Sequence, residues 1–429
     1  MKNLHLLSAS DAAGLLADRT VSAEEMMISC LERIEEAETE VGAWAYYNAE
    51  QALTSARVLD RIPPQGPLHG LPVGVKDLFD TFDMPTSYGS PIYKSHRPAW
   101  DAACVAATRA AGGIILGKTV TTEFATYHPG KTANPHNTLY TPGGSSSGSA
   151  AAVASNMVPL AFGTQTAGSI IRPAAFCGVV GYKPSFGMIP MAGTKAVSGS
   201  LDTIGFFGRS VADVSLFAKA LTGRSNLGVA GTDSVNKPRI GVCRTYEWKF
   251  ALPETEEAIN NTHRLLERSG AIVTDITLPS DFSYLSVAQT EIMAYEAARS
   301  FTYEYQAHAD KISSELLEMI HKGLLIDSKC YDAHQALAQR CRMLFVDLFP
   351  EIDLLIAPST PGEAPRGKVS TGNPVFNRIW TLLGVPCVHL PFMRGSNGLP
   401  VGVQAIGKFG ADAQTLRVSN WAFDILNNC

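Results

Sequence analysis

The sequence predicts an α/β fold, a single large domain whose sheet is covered by helices on both faces. Three observations predict it. From about Gly70, short apolar runs alternate with small-residue helical stretches, the strand–helix–strand order that builds such sheets. No low-complexity linker interrupts the chain. Its 429 residues, 45% hydrophobic and 17% charged, suffice for a large buried core.

The elements follow in order. Ser8 with Asp11, and Ser22 with Glu25, have the capping-box spacing, so helices are expected in the first 40 residues. Behind the second cap Met27, Leu31 and Ile34 recur at helical spacing. LPVGVKDLF reads as a strand, DAACVAATRAAGG as a helix closed by glycine, and IILGKTV and MVPLAFGTQ as strands. Residues 253–349 carry more charge and read as mostly helical. There ETEEAINNTHRLLERSG places Ile259, Thr262 and Leu266 on one face and stops at Gly270, and AIVTDITL follows as a strand. Long helices packed on one side are expected over 284–349, after which DLLIAPSTPGEAP and VPCVHLPF return to strand character. GLPVGVK at 70–76 recurs as GLPVGVQ at 398–404, which reads as two similar hairpin turns, one ending in Lys76 and the other in Gln404.

Composition narrows the function. The net charge, 35 − 40 = −5, with no basic stripe, argues against a nucleic-acid partner. No apolar run reaches the roughly 18 residues of a membrane span, and no signal peptide is visible, so a cytoplasmic location is expected. The eight cysteines are scattered without a CxxC and read as buried thiols. The ten histidines make no HExxH and no Cys/His cluster, so neither a catalytic metal nor another cofactor is expected. GGIILGKT at 112–119 formally matches a phosphate-binding loop. Its middle, Ile114, Ile115 and Leu116, favours a buried strand, so nucleotide binding is rejected and Lys118 becomes a strand-end lysine.

Two serine-bearing turns remain. A reactive serine needs a base and backbone N–H donors aimed at a developing oxyanion. TQTAGSII places small residues before Ser169, which lets several N–H groups converge, and Pro173 fits a helix start. TPGGSSSGSAAAV puts Ser145 before an Ala-rich helix, at a second such start, so the two turns are expected to form one site. On its residues alone Lys76 reads as an exposed strand-end lysine.

PGGSSSGSAAAVA, GTQTAGSIIRPAAFCGVVGYKPSFG and the preceding GLPVGVKDLFDT strongly resemble the amidase signature family. The resemblance is dense over about 70–210, with weaker echoes in the N-terminal helices and in DLLIAPSTP, VPCVHLPF and GLPVGVQAIGKFGAD. It implies one domain over 1–429, an α/β fold with a mixed central sheet, and a more variable helical part at about 253–349. Carried over residue by residue, it implies Ser169 as nucleophile, Lys76 as base and Ser145 as the bridging serine after a cis peptide. The backbone N–H groups of Thr166, Ala167, Gly168 and Ser169 would form the oxyanion hole. Ser146, Ser147 and Ser149 are then left to cap and pack. A lysine base must be neutral; Val73 and Val75 give apolar surroundings, and Asp77 should face the opposite side of its strand.

Many family members read G-T-D-T-G-G-S-I-R-x-P, whereas this chain reads G-T-Q-T-A-G-S-I-I-R-P, with Gln165 and Ile171 replacing an acid and an arginine. The variant resembles the malonamidase branch, in which an arginine at the position of Arg172 holds a substrate carboxylate. The competing reading of Arg172 is a structural ion pair with an Asp or Glu. Tyr127, His128 and Lys131 are candidates to line the pocket, Tyr127 the foremost, Asp202 is expected to play a structural hydrogen-bonding role near the site, and Cys177 to lie in the core. The expected activity is hydrolysis of a small, carboxylate-bearing amide to acid and ammonia. The alternatives are an amidase of neutral amides, or the subunit of a tRNA-dependent amidotransferase that makes ammonia from glutamine for a partner. The sequence leaves a homodimer open.

Overall fold

The strands sit in the sheet out of their order along the chain. The computed structural model describes residues 3–229 and 235–428. Its strands are β1 (Trp44–Tyr47), β2 (Pro72–Lys76), β3 (Ile114–Thr119), β4 (Leu160–Gln165), β5 (Val180–Lys183), β6 (Thr203–Gly208), β7 (Arg239–Val242), β8 (Ile272–Asp275), β9 (Leu354–Pro358), β10 (Cys387–Arg394) and β11 (Pro400–Ile406). All join one sheet in the order β1-β3-β2-β4-β6-β5-β10-β11-β9-β7-β8. The trios β3-β2-β4 and β9-β7-β8 are parallel, and every other pairing is antiparallel. The sheet is therefore mixed, and helices flank it, as expected. Every residue of β2, β3 and β4 is buried. Parallel strands covered on both faces need no polar alternation, which is why these segments read as continuous apolar runs.

The helices start and stop where their local chemistry directs. Ser22 and Glu25 form a reciprocal capping box on helix Ala23–Val41, which buries Met27, Leu31 and Ile34. Helix Pro253–Arg268 buries Ile259, Thr262 and Leu266, and Gly270 follows at φ 93°, a left-handed turn that glycine adopts freely. Over 284–349 the main helices are Leu285–Ser300, Ser314–Leu325 and Ser328–Val346, and the first packs against the other two. No described helix is long and apolar enough to cross a membrane.

Two expectations are corrected. The turn at Gly398 closes the antiparallel hairpin β10–β11, but the turn at Gly70 feeds β2, whose neighbours β3 and β4 are both parallel to it. Parallel neighbours need crossovers, so the two copies of the repeat are not both hairpins. Of the cysteines, Cys330 is partly exposed, the other six described ones are buried and free, and Cys429 lies outside the described residues.

Candidate active site

The parallel register of β2 and β4 sets Gly74 beside Ala161 and brings the end of each strand together. Lys76, the last residue of β2, thereby reaches Thr164 of β4. Its Nζ donates to Thr164 Oγ1 at 2.7 Å and to Ser145 Oγ at 2.8 Å. The exposed strand-end lysine expected from the residues alone is instead fully buried, its amine held between the serine turn and the end of β4. Asp77, the residue just after β2, turns away from Lys76 and pairs with Lys118 at 3.2 Å. Burial holds the Lys76 amine well below its usual 10.5; Asp202 pulls it partly back and Arg172 pushes it further down.

The serine turn is shaped by its glycines. Gly143 lies at φ 80°, and a Cβ there would come within 2.8 Å of Pro173 Cα. The Gly144–Ser145 peptide is cis. Helix Ser147–Ala154 begins just beyond. Ser146 occupies its N-cap position but does not cap it. Its hydroxyl donates instead to Ser169 O at 2.6 Å, so it ties the two serine turns together.

Between β4 and helix Ile171–Cys177 the loop 166–169 has an unusual hydrogen-bond balance. Its four carbonyls are all held. Thr166 O accepts from Gln289 Nε2 at 2.8 Å, Ala167 O from Thr381 Oγ1 at 2.7 Å, Gly168 O from Arg172 N at 2.9 Å, and Ser169 O from Ser146. Its four N–H groups donate to no protein acceptor among the described residues. The next two, Ile170 and Ile171, both donate to Gln165 Oε1, at 2.9 and 3.0 Å. Gln165 is itself fixed by Thr381 at 2.9 Å. The replacement at 165 thus acts as a neutral anchor for the loop's exit. Gly168 has no room for a side chain, since a Cβ would meet Asn377 Oδ1 at 2.5 Å. Ser169 Oγ makes no protein hydrogen bond among the described residues.

Asp202 braces the same loop, in the hydrogen-bonding role expected. Its Oδ1 accepts from Thr166 Oγ1 at 2.5 Å, and its Oδ2 from the N–H groups of Val197 and Ser198 at 2.7 and 3.0 Å. Burial raises the carboxyl to about 6 from its usual 3.8, and these hydrogen bonds hold it from rising further. Asp202→Ala orphans three donors at about 1–3 kcal/mol each, against roughly 3 kcal/mol regained by removing the raised carboxylate at neutral pH. A net loss of roughly 3 kcal/mol is expected in denaturant titration. Unchanged stability would remove the bracing role.

Arg172 is nearly buried, and burial with help from Arg378 lowers it to about 9, still charged at neutral pH. Its Nε and Nη2 donate to Gly144 O at 3.2 and 2.6 Å, and its Nη1 to Gly372 O at 2.5 Å. A guanidinium has five N–H donors, so one remains on each terminal nitrogen. No Asp or Glu pairs with it among the described residues, so the structural ion pair is not formed. Arg378 also lacks a carboxylate there and donates to Gln289 and Thr290 side chains, at 2.7 and 2.9 Å.

A cavity of about 20 Å³ adjoins Ser169, walled by Thr166, Ala167, Arg172, Tyr127, Met293 and Met319. An outer cavity of about 290 Å³ shares Tyr127, Met293 and Met319 with it. A larger apolar cavity, about 450 Å³ beside Phe186 and Phe409, shares no wall with either. His128 and Lys131 do not line the inner cavity; they are exposed and pair with Glu315 and Glu38 at 3.4 and 3.5 Å. Cys177 is buried, its thiol donating to Pro142 O. Sequence reasoning misses Thr164, Gln289, Met293, Met319 and Arg378, which join the site. Thr164 is within reach of a strand-register argument. The others come from helices whose sequences carry no motif.

The family described as Amidase matches residues 25–416. The chain is 32% identical to a glutamyl-tRNA(Gln) amidotransferase subunit of Chloroflexus aggregans, over 98% of this chain and 96% of that one. The protein of that description from Shouchella clausii is also 32% identical, over 95% of this chain and 94% of its own. A solved structure described as an amidase superposes with a TM-score of 0.88 at 31% identity, covering 97% of this chain and 99% of the other. Native peptide amidase from Stenotrophomonas maltophilia gives 0.82 at 27% identity, over 98% of this chain and 96% of the other.

Proposed function

This chain belongs to the amidase family, and on that premise we propose that it hydrolyses the C–N bond of a small amide bearing a carboxylate, through a seryl acyl-enzyme. One observation carries the chemistry: a fully buried lysine, without a carboxylate partner among the described residues, donates to Ser145, beside a loop whose four N–H groups find no protein acceptor among them. Ser169 Oγ attacks the amide carbon, and its proton passes through Ser145 to neutral Lys76. The carbonyl oxygen becomes an anion held by the N–H groups of Thr166, Ala167, Gly168 and Ser169. The C–N bond then breaks, the proton returns through Ser145 to the leaving nitrogen, and ammonia departs. Water, deprotonated along the same route, releases the acid and restores Ser169. Residues 1–429 act in this reading as one domain.

The substrate class rests on Arg172. That arginine walls the small cavity beside Ser169 and keeps one N–H on each terminal nitrogen without a protein acceptor among the described residues, a pair that suits a carboxylate held by two hydrogen bonds. The relatives named as amidotransferase subunits favour glutamine as that substrate. Gln165 with Ile171, resembling the malonamidase branch, supports malonamate as the second choice. Ammonia release by the purified chain from glutamine, malonamic acid and neutral malonamide separates them. A preference for malonamide over both acids would discard the carboxylate site and keep the serine chemistry. Glutamine hydrolysis that needs a copurifying partner protein would place the chain with the amidotransferases.

Arg172→Met is expected to lower the preference for the acid over its neutral amide by about 10- to 100-fold, the worth of a charge-assisted pair. Because Arg172 also holds Gly144 O, both rates are expected to fall, and the ratio is the informative reading. An unchanged ratio would leave Arg172 with only its backbone contacts.

A further inference from the structure

The spacing C-x-x-x-H at Cys330 and His334 carries no metal motif in the sequence, where no Cys/His cluster is expected. On helix Ser328–Val346 that spacing puts both residues on one face, one turn apart. Helix Leu285–Ser300 faces them and contributes Glu291. His334 Nε2 lies 2.7 Å from Glu291 Oε2, Cys330 Sγ 3.5 Å from His334 Nε2 and 3.6 Å from Glu291 Oε2. The three donor atoms lie within 4.8 Å of one another, and all three residues are partly buried, open to solvent on one side.

We propose that Glu291, Cys330 and His334 form a zinc-class divalent metal site, separate from the amidase centre, that fastens helix Leu285–Ser300 to helix Ser328–Val346. The donor set of thiolate, imidazole and carboxylate is the mixture that suits zinc. The spacing suits it too. A tetrahedral zinc with ordinary bond lengths separates sulfur from nitrogen or oxygen by about 3.6 Å, and nitrogen from oxygen by about 3.4 Å. The two edges involving sulfur already have that length. The third is closed by the hydrogen bond between His334 and Glu291, and opens by about 0.7 Å as the metal replaces it. Binding forms S–Zn, N–Zn and O–Zn bonds. The thiol proton goes to solvent, the imidazole keeps a proton on Nδ1 only, and water takes the fourth position.

The site bears on the amidase centre through its helix. Gln289, two residues before Glu291, holds Thr166 O, and Met293, two residues after it, walls the inner cavity. A metal at Glu291 would fix the helix that carries both. None of the three ligands lines either cavity beside Ser169, so metal binding can be read apart from catalysis.

The test is a zinc titration of the tag-free chain against a chromophoric chelator, with cobalt(II) absorption as the probe of sulfur ligation and thermal unfolding as the probe of fastening. One metal per chain is expected, with a sulfur-to-cobalt charge-transfer band and a higher melting temperature. Cys330→Ser, His334→Ala and Glu291→Gln should each weaken binding by at least about tenfold, and Cys330→Ser should abolish the band. All three positions are partly exposed, so the variants should fold, and their unchanged melting temperature without metal checks this. Absence of saturable binding would overturn the site. So would binding that Cys330→Ser leaves intact.

Discussion

Ser169→Ala is expected to lower amide hydrolysis by roughly 10⁴-fold or more, the loss seen when a serine nucleophile is removed from a unit of cooperating residues. Stability should stay within about 0.5 kcal/mol of the parent, because Ser169 Oγ makes no hydrogen bond to the described residues whose loss could unfold the loop. The pairing of the two readings matters. A large loss of rate with an unchanged melting curve assigns the effect to chemistry. A loss below tenfold would leave some other group as nucleophile, and a collapse of the melting curve would show that Ser169 holds the fold. Adding Ser145→Ala to Ser169→Ala should cost little more, since residues that act as a unit are not additive.

Lys76→Met should lower the rate by about 10²- to 10⁴-fold, the range for a general base. The pH dependence carries the sharper reading. In the parent, the rate should rise with pH as the amine loses its proton, and burial sets that limb well below 10.5. The linked effect on stability has a definite sign. Between the lowered folded value and 10.5 the unfolded chain binds the proton and the folded chain does not. Unfolding therefore takes up a proton in that window, and stability rises with pH across it. Below the window both states are protonated and the folded chain carries the full cost of a buried ammonium. Lys76→Met should remove this part of the slope. An acid limb near 10.5, or the same slope of stability with pH in both proteins, would mean that Lys76 is charged at neutral pH.

The sequence is most legible where one type of residue has one reason to be present. Ser22 with Glu25 reads as a helix start because a hydroxyl and a carboxylate three apart can each take the other's backbone N–H, and both do. β2, β3 and β4 read as strands because each opens on a run of apolar and small residues before its polar end. β1, β5 and β7, each of four residues, escape the reading because four residues display no period, whereas the equally short β8 is legible through the glycine stop before it and the longer β-branched stretch AIVTDITL around it. β6 is hidden by its pattern of small and aromatic residues, TIGFFG, which has no alternation to follow. In the site, Ser145, Ser169 and Lys76 stand out through motif, and Lys76 through motif alone, since its amine is held by Ser145 and Thr164, both far from it in sequence. Gln289 and Arg378 cannot be found that way. Each acts through contacts with residues far away in sequence, and a helical glutamine or arginine looks like any surface residue until its neighbours are known. The cysteine and histidine of helix Ser328–Val346 are in plain view, but Glu291 comes from another helix and completes the set only in space.

The free N–H groups of loop 166–169 say something about time as well as place. With each carbonyl of the loop tethered by a different partner, the peptide planes cannot turn to satisfy one another. They are fixed when the chain folds, before any substrate arrives. A solvent would have to reorient its molecules around a growing negative charge, and that reorientation is a large part of the barrier in water. In the proposed reaction the loop would meet that charge without having to reorient.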